Sequence, residues 1–84
     1  MKRLKQIFSA LDNEKRLRIV ELCSEKEYSI TELSKLLKLN YSITVEYTSM
    51  LEKANLVTKN RNKDRTVTVR SLIRIKSGGE IVRI

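Results

Sequence analysis

The chain has 84 residues, a third of them charged and 40% apolar, and its 18 Lys and Arg outnumber its 10 Asp and Glu for a net charge of +8. That length makes one small domain, whose simple core buries a little over half of the surface its unfolded chain exposes. The single cysteine and the lack of histidine exclude an internal disulfide and remove almost all soft metal ligands, so no metal and no cofactor is expected; with no carboxylate pair and no Gly-rich phosphate loop either, the chain does not read as an enzyme.

No apolar run approaches the ~20 residues of a membrane span, so no membrane partner is expected. The basic start MKRLKQIFSALDNEK lacks both a continuous apolar segment and a small-residue cleavage site and does not read as a signal peptide. The expected location is the cytoplasm. The charge is unevenly spread: residues 1 to 57 carry a net +2 and residues 58 to 84 a net +6. A concentrated basic face suits a polyanion, because neutralised phosphates release condensed counterions; a basic surface kept for solubility is the other reading.

There is no proline, repeat or low-complexity stretch, and the only glycines are the adjacent Gly78 and Gly79, so one continuous domain is expected over 1–84. Leu4, Ile7, Phe8 and Leu11 recur at the spacing of an amphipathic helix of about eight residues. Asp12 or Asn13 can cap a second helix, with Leu17, Ile19, Val20, Leu22 and Cys23 as its apolar face and an end within Ser24 to Glu27. Cys23 on that face reads as a small core residue. Ser29-Ile30-Thr31-Glu32 has the form of a capping box that opens a third helix, whose buried stripe is Leu33, Leu36 and Leu37. After a short break at Leu39-Asn40, Asn40 can cap a fourth helix through about Asn55, with Ile43, Tyr47, Met50, Leu51 and Ala54 at helical spacing.

From Leu56 the period changes to alternation. Leu56 to Arg61, the turn residues Asn62-Lys63-Asp64 and the β-branched run Arg65 to Arg70 predict a hairpin with a basic tip. The alternation continues through Ser71 to Lys76, and Ser77-Gly78-Gly79 can turn the chain into a last strand, Glu80 to Ile84. The fold class is thus mainly α with a small antiparallel β-sheet (α+β): four helices, a basic hairpin and room for an extra C-terminal hairpin.

Two helices across a tight turn followed by a basic hairpin is the layout of a winged helix-turn-helix. Through IFSALDNEKRLRIVELC, ITELSKLLKLNYSITVEYTSMLEKANLV and the hairpin after them, the sequence resembles the arsenic-repressor (ArsR) type of winged-helix transcription factor over about residues 4 to 70. The most diagnostic pieces are Ala10-Leu11 with Arg16 to Ile19, the Glu32-Leu33 opening of the third helix, and Leu51 to Val57. The resemblance implies a helix-turn-helix at about 29–55, a wing at about 56–70 and a strand extension at 71–84. It further implies DNA-binding regulation of transcription, usually repression, with the fourth helix reading double-stranded DNA through Tyr41, Ser42, Thr44, Val45, Glu46 and Ser49. Lys59, Arg61, Asn62, Lys63 and Arg65 would contact DNA from the wing. A homodimer is expected, and Leu4, Ile7, Phe8 and Leu11 are candidates for its interface, because so small a core leaves the first helix little to join.

The sequence departs from the family in three ways. Cysteine and histidine clusters that sense metals are missing, so that role does not carry over. Thr44 and Thr48 stand where the fourth helix usually has apolar residues, and Glu46 where a basic residue is common; nothing between Leu39 and Glu52 is basic. Base readout then falls to Ser, Thr, Tyr and Glu46, which can accept from cytosine N4 but repels phosphate. Finally, Ser71 to Ile84 reads as strand where the family has a dimerising helix. The neutral-to-acidic fourth helix keeps open a second reading, a winged-helix protein-interaction module of a transcription assembly. RNA binding ranks third, because the sheet lacks exposed aromatic pairs for stacking on bases.

Overall fold

The computed structural model describes residues 2–84, with side chains from residue 5 onward. Helices α1 (Lys2–Leu11), α2 (Glu14–Glu25), α3 (Ile30–Leu37) and α4 (Tyr41–Lys53) are followed or interrupted by strands β1 (Tyr28–Ser29), β2 (Val57–Arg61), β3 (Val67–Ser71), β4 (Ile73–Ile75) and β5 (Ile81–Arg83). This is the winged helix-turn-helix arrangement. One sheet has the order β1-β3-β2 and a second pairs β4 with β5, all antiparallel.

The starts of α2, α3 and α4 are each set by a side chain that the sequence makes legible. Of the two candidates, Asn13 caps α2: its carbonyl oxygen accepts from the Lys15 and Arg16 amides at 2.9 and 3.1 Å. The capping box of α3 is complete, with the Glu32 amide donating to Ser29 Oγ at 3.0 Å and the Ser29 amide donating to Glu32 Oε1 at 2.9 Å. Asn40 Oδ1 accepts from the Ile43 amide at 2.8 Å and starts α4. These contacts satisfy donors that have no partner inside the helix.

The helix ends are solved without glycine. The Leu39 and Lys38 amides reach back to the Ser34 and Lys35 carbonyls, and those of Leu56 and Asn55 to Leu51 and Glu52, so α3 and α4 both close in the Schellman pattern. Lys38 (φ 55°) and Asn55 (φ 60°) take the left-handed conformation the pattern needs. Elsewhere cations bond the terminal carbonyls. Arg16 donates from Nε to Ala10 O at 2.7 Å and from Nη2 to Ser9 O at 3.1 Å at the end of α1. Lys15 Nζ donates to Leu37 O at 3.0 Å at the end of α3, and Arg74 to Ser24 O at 3.3 Å near the end of α2. Positive charge at a helix C-terminus also complements the helix dipole.

The core gathers Ile19, Val20 and Cys23 of α2, Leu33 and Leu37 of α3, Leu51 of α4 and Val57 and Val69 of the sheet. Each large apolar side chain buried there contributes about 1.5–3 kcal/mol. Leu36, expected in the α3 stripe, is instead 56% exposed: an eight-residue helix packed along Ile30, Leu33 and Leu37 turns it outward. Met50 is likewise exposed, and Thr44, Thr48 and Leu51 form the buried face of α4 in its place. The two-residue β1, which pairs Tyr28 with Val69 and Ser29 with Thr68, is too short to leave a periodic signal. The strand expected to run through Ser71 to Lys76 breaks at Leu72, because the buried Ser71 hydroxyl turns onto Ile73 (2.7 Å to its carbonyl, 3.2 Å from its amide). The Leu72 amide then donates to Leu56 O.

Of the four first-helix residues expected at a dimer interface, Leu4 lies outside the described side chains. Ile7 and Leu11 are half-buried against the core, and Phe8 is 62% exposed. Ser29→Ala is expected to lower stability by about 1 kcal/mol through loss of the α3 cap, read as a fall in melting temperature. The Ser29 amide holds the Glu32 carboxyl below its ordinary value of 4.5. The part of the cap that depends on ionised Glu32 is therefore present above that pH and lost as pH falls through the lowered value.

Candidate nucleic-acid interface

The direction α4 faces follows from two threonines. Thr44 and Thr48 are fully buried, which apolar surroundings permit only if their hydroxyls are bonded. Thr44 Oγ1 donates to Asn40 O at 2.9 Å, and Thr48 Oγ1 lies 2.9 and 3.0 Å from the carbonyls of Thr44 and Val45. Ser34 of α3 brings its hydroxyl to 3.0 Å from Thr44 Oγ1, so the two helices of the motif are joined by a polar contact at their crossing. Thr44 is consequently no base-contact residue; its side chain belongs to the α3–α4 junction.

With that face buried, the opposite one is presented outward. Tyr41 is 54% exposed, Ser42 and Glu46 are exposed, and Val45 and Ser49 are half-buried. Ser42, Val45, Glu46 and Ser49 lie three or four positions apart and share one stripe. Tyr47 points elsewhere: the Arg16 guanidinium lies over its ring at 5.2 Å, which ties α2 to α4 and agrees with the structural role of Arg16.

The β2–β3 hairpin is fastened to this stripe at one point. Lys59 Nζ donates to Ser49 Oγ at 2.7 Å. Partial burial lowers the Lys59 pKa, as does Arg61, while Glu52 opposes the shift. Lys59 and Ser49, both candidate DNA contacts, bond each other here and link helix to wing.

At the tip, Arg61, Asn62, Lys63 and Arg65 are exposed. Asn62 Nδ2 donates to Thr66 Oγ1 at 3.1 Å, so part of its side chain is used inside the turn. The one acid of the tip, Asp64, accepts from the Thr66 hydroxyl at 2.6 Å and the Thr66 amide at 3.2 Å, and these bonds hold its carboxyl below its usual pKa. Asp64 is thereby turned onto Thr66 rather than onto an arginine.

The conformation of Arg65 was not legible in the sequence, which placed it in a strand. The Arg65 amide donates to Asn62 O and the Asn62 amide to Thr66 O, with Arg65 at φ 71°. The second hairpin repeats this turn: the Gly79 amide donates to Lys76 O, the Lys76 amide to Glu80 O, and Gly79 has φ 82°. One turn puts glycine at the left-handed position; the other puts an arginine there, at a cost of about 1 kcal/mol or more.

Among the described residues no group of three His, Cys, Asp or Glu could hold a metal ion, and no helix is long and apolar enough to cross a membrane. Cys23 is buried, and burial raises its pKa to about 12, far from the range of a reactive thiolate.

A helix-turn-helix with an outward helix face beside a cationic hairpin defines a winged-helix DNA-binding domain. The sequence profile of the bacterial regulatory protein arsR family matches residues 13–59, and the chain belongs to that family. It is a transcriptional regulator and not an enzyme. No curated protein sequence matches it. Among solved structures it is similar to reduced HlyU from Vibrio cholerae N16961, with 27% identity, TM-score 0.76, and 83% of this chain and 73% of that one covered. It is similar to NolR from Sinorhizobium fredii at 27% identity and TM-score 0.77, covering 83% and 69%. The homodimeric winged helix-turn-helix DNA-binding domain (fragment 1–100) from Mycobacterium bovis shares the fold at 20% identity and TM-score 0.78, covering 83% and 64%.

Arg65→Gly is expected to raise the melting temperature by several degrees, since relief of about 1 kcal/mol shifts a domain of this size by roughly 4–8 °C. The same variant should bind duplex DNA more weakly. Thermal melts and anisotropy titrations on one preparation measure both.

Proposed function

We propose that this regulator acts as a homodimeric repressor that inserts α4 in the major groove of duplex DNA while the β2–β3 wing contacts the sugar-phosphate backbone. The observation that carries this reading is the pairing of an outward α4 stripe with a tip whose only acid is turned onto Thr66. In this reading residues 1–84 work as one domain in the cytoplasm, with the helix-turn-helix at about 29–55, the wing at about 56–70 and the strand extension at 71–84.

Ser42, Glu46 and Tyr41 are the readers, as their side chains are exposed and uncommitted to the fold, with Val45 lining the apolar centre of the stripe. Arg61, Lys63 and Arg65 supply the phosphate contacts. Phe8 of α1, with Ile7 beside it and Ile81 of β5 across a shared groove, supplies the apolar surface for dimerisation; the M. bovis domain of the same fold is a homodimer. Two copies would set their recognition helices one helical turn apart, about 34 Å, and read a pseudo-palindrome.

The test is a salt series of duplex binding by fluorescence anisotropy, comparing random DNA with DNA upstream of the protein's own gene. Arg61→Ala with Lys63→Ala should weaken binding to both alike and flatten the salt slope by about two units per bound protomer. Ser42→Ala with Glu46→Gln should instead narrow the preference for the upstream DNA. Absence of duplex binding at low salt would contradict this reading and favour the protein-interaction alternative.

A further inference from the structure

Three non-glycine residues take left-handed backbone among the described residues: Lys38, Asn55 and Arg65. Asn55 is the residue type that tolerates this conformation best after glycine. The other two are cations. Arg65 is at the wing tip, and Lys38 is its counterpart in the turn that leads into α4. Both turns have a geometry in which glycine is the ordinary occupant.

The helix end at Lys38 does not require its charge. The Leu37 carbonyl already accepts from Lys15 Nζ at 3.0 Å, and Lys35 lies in the last turn of α3. Three lysines, Lys15, Lys35 and Lys38, therefore belong to one helix end. Glu32, three residues before Lys35 on α3, is bonded to the Ser29 amide in the capping box. Lys35 and Lys38 are both exposed. A lysine held in left-handed backbone, where glycine is the ordinary occupant, is strained, and among the described residues no bond of its side chain inside the fold compensates, so its use lies with something outside the fold that carries negative charge.

Its position indicates which. Lys38 is three residues before Tyr41, at the start of α4, while the wing is fastened at Ser49 through Lys59. From Tyr41 to Ser49 the helix advances about 12 Å, close to the ~12 Å width of the major groove of B-DNA. The stripe between has no cation and carries Glu46. We infer that the α3–α4 turn is a second phosphate clamp: Lys35 and Lys38, in the field of Lys15, grip one backbone of the groove that α4 enters, and the wing grips the other. The neutral-to-acidic α4 is then no obstacle to DNA binding, because its flanks supply the charge. This inference rests on the duplex-binding reading above and adds to it the residues that hold the far strand.

The experiment uses the full chain in a salt series on duplex DNA, with thermal melts of each variant. Lys38→Gly should raise the melting temperature and flatten the slope of log K against log salt by about 0.9 per bound protomer. Lys35→Gln with Lys38→Gly should flatten it by about twice that, on random and upstream DNA equally. Arg61→Ala with Lys63→Ala is the internal reference. If the wing variant flattens the slope and the turn variants leave it as in the wild type, the second clamp is overturned while the duplex-binding reading stands. If the wild type binds no duplex, both fall. Because Lys38→Gly suits the backbone better than lysine, lost affinity in a variant with a raised melting temperature cannot come from unfolding.

Discussion

The placement of α4 depends on the burial of Thr44 and Thr48. A hydroxyl inside an apolar core is tolerated only when it is bonded, and a buried group left without a partner costs about 1–3 kcal/mol. Thr44 meets that demand through Asn40 O and the Ser34 hydroxyl, and Thr48 through carbonyls of its own helix. The intrahelical bonds let both threonines be buried, the Ser34–Thr44 contact ties that buried face to α3, and Ser42, Glu46 and Ser49 lie on the opposite side.

A second constraint is the scarcity of glycine. With only Gly78 and Gly79 in the chain, helix ends are closed by Arg16, Lys15 and Arg74 on terminal carbonyls and by Lys38 and Asn55 in left-handed conformation. Part of the +8 charge therefore serves the fold. Lys59 is also committed, to Ser49. Besides Lys53 at the end of α4, the exposed cations beside α4 fall into two groups, one at the turn before it and one at the wing after it, with Glu46 between them. Net charge alone gives no hint of this division.

Much of the architecture could be read from the sequence because it is signalled locally. Caps at Asn13, Ser29 and Asn40, the i, i+3, i+4 apolar spacing and the change of period at Leu56 each identify an element without knowledge of its neighbours. What escaped depends on tertiary contact. Strand β1 exists only as a partner of β3, the break at Leu72 follows from how the Ser71 hydroxyl bonds, and the burial of Thr44 follows from Ser34 on another helix. For the same reason the site was only half legible: the cations of the wing stand out in sequence, but the Lys59–Ser49 bond does not, and the left-handed backbone of Lys38 and Arg65 is invisible where the expected marker, glycine, is missing.

The most direct test of the account is a titration of isotope-labelled protein with duplex DNA, followed by amide chemical shifts. The account predicts that the largest changes fall on the Lys38–Asn40 turn, on Tyr41, Ser42, Val45 and Glu46, and on the Arg61–Arg65 tip, with the β4–β5 hairpin little affected. Changes centred on α1 and the β4–β5 hairpin, with the α4 stripe silent, would contradict it.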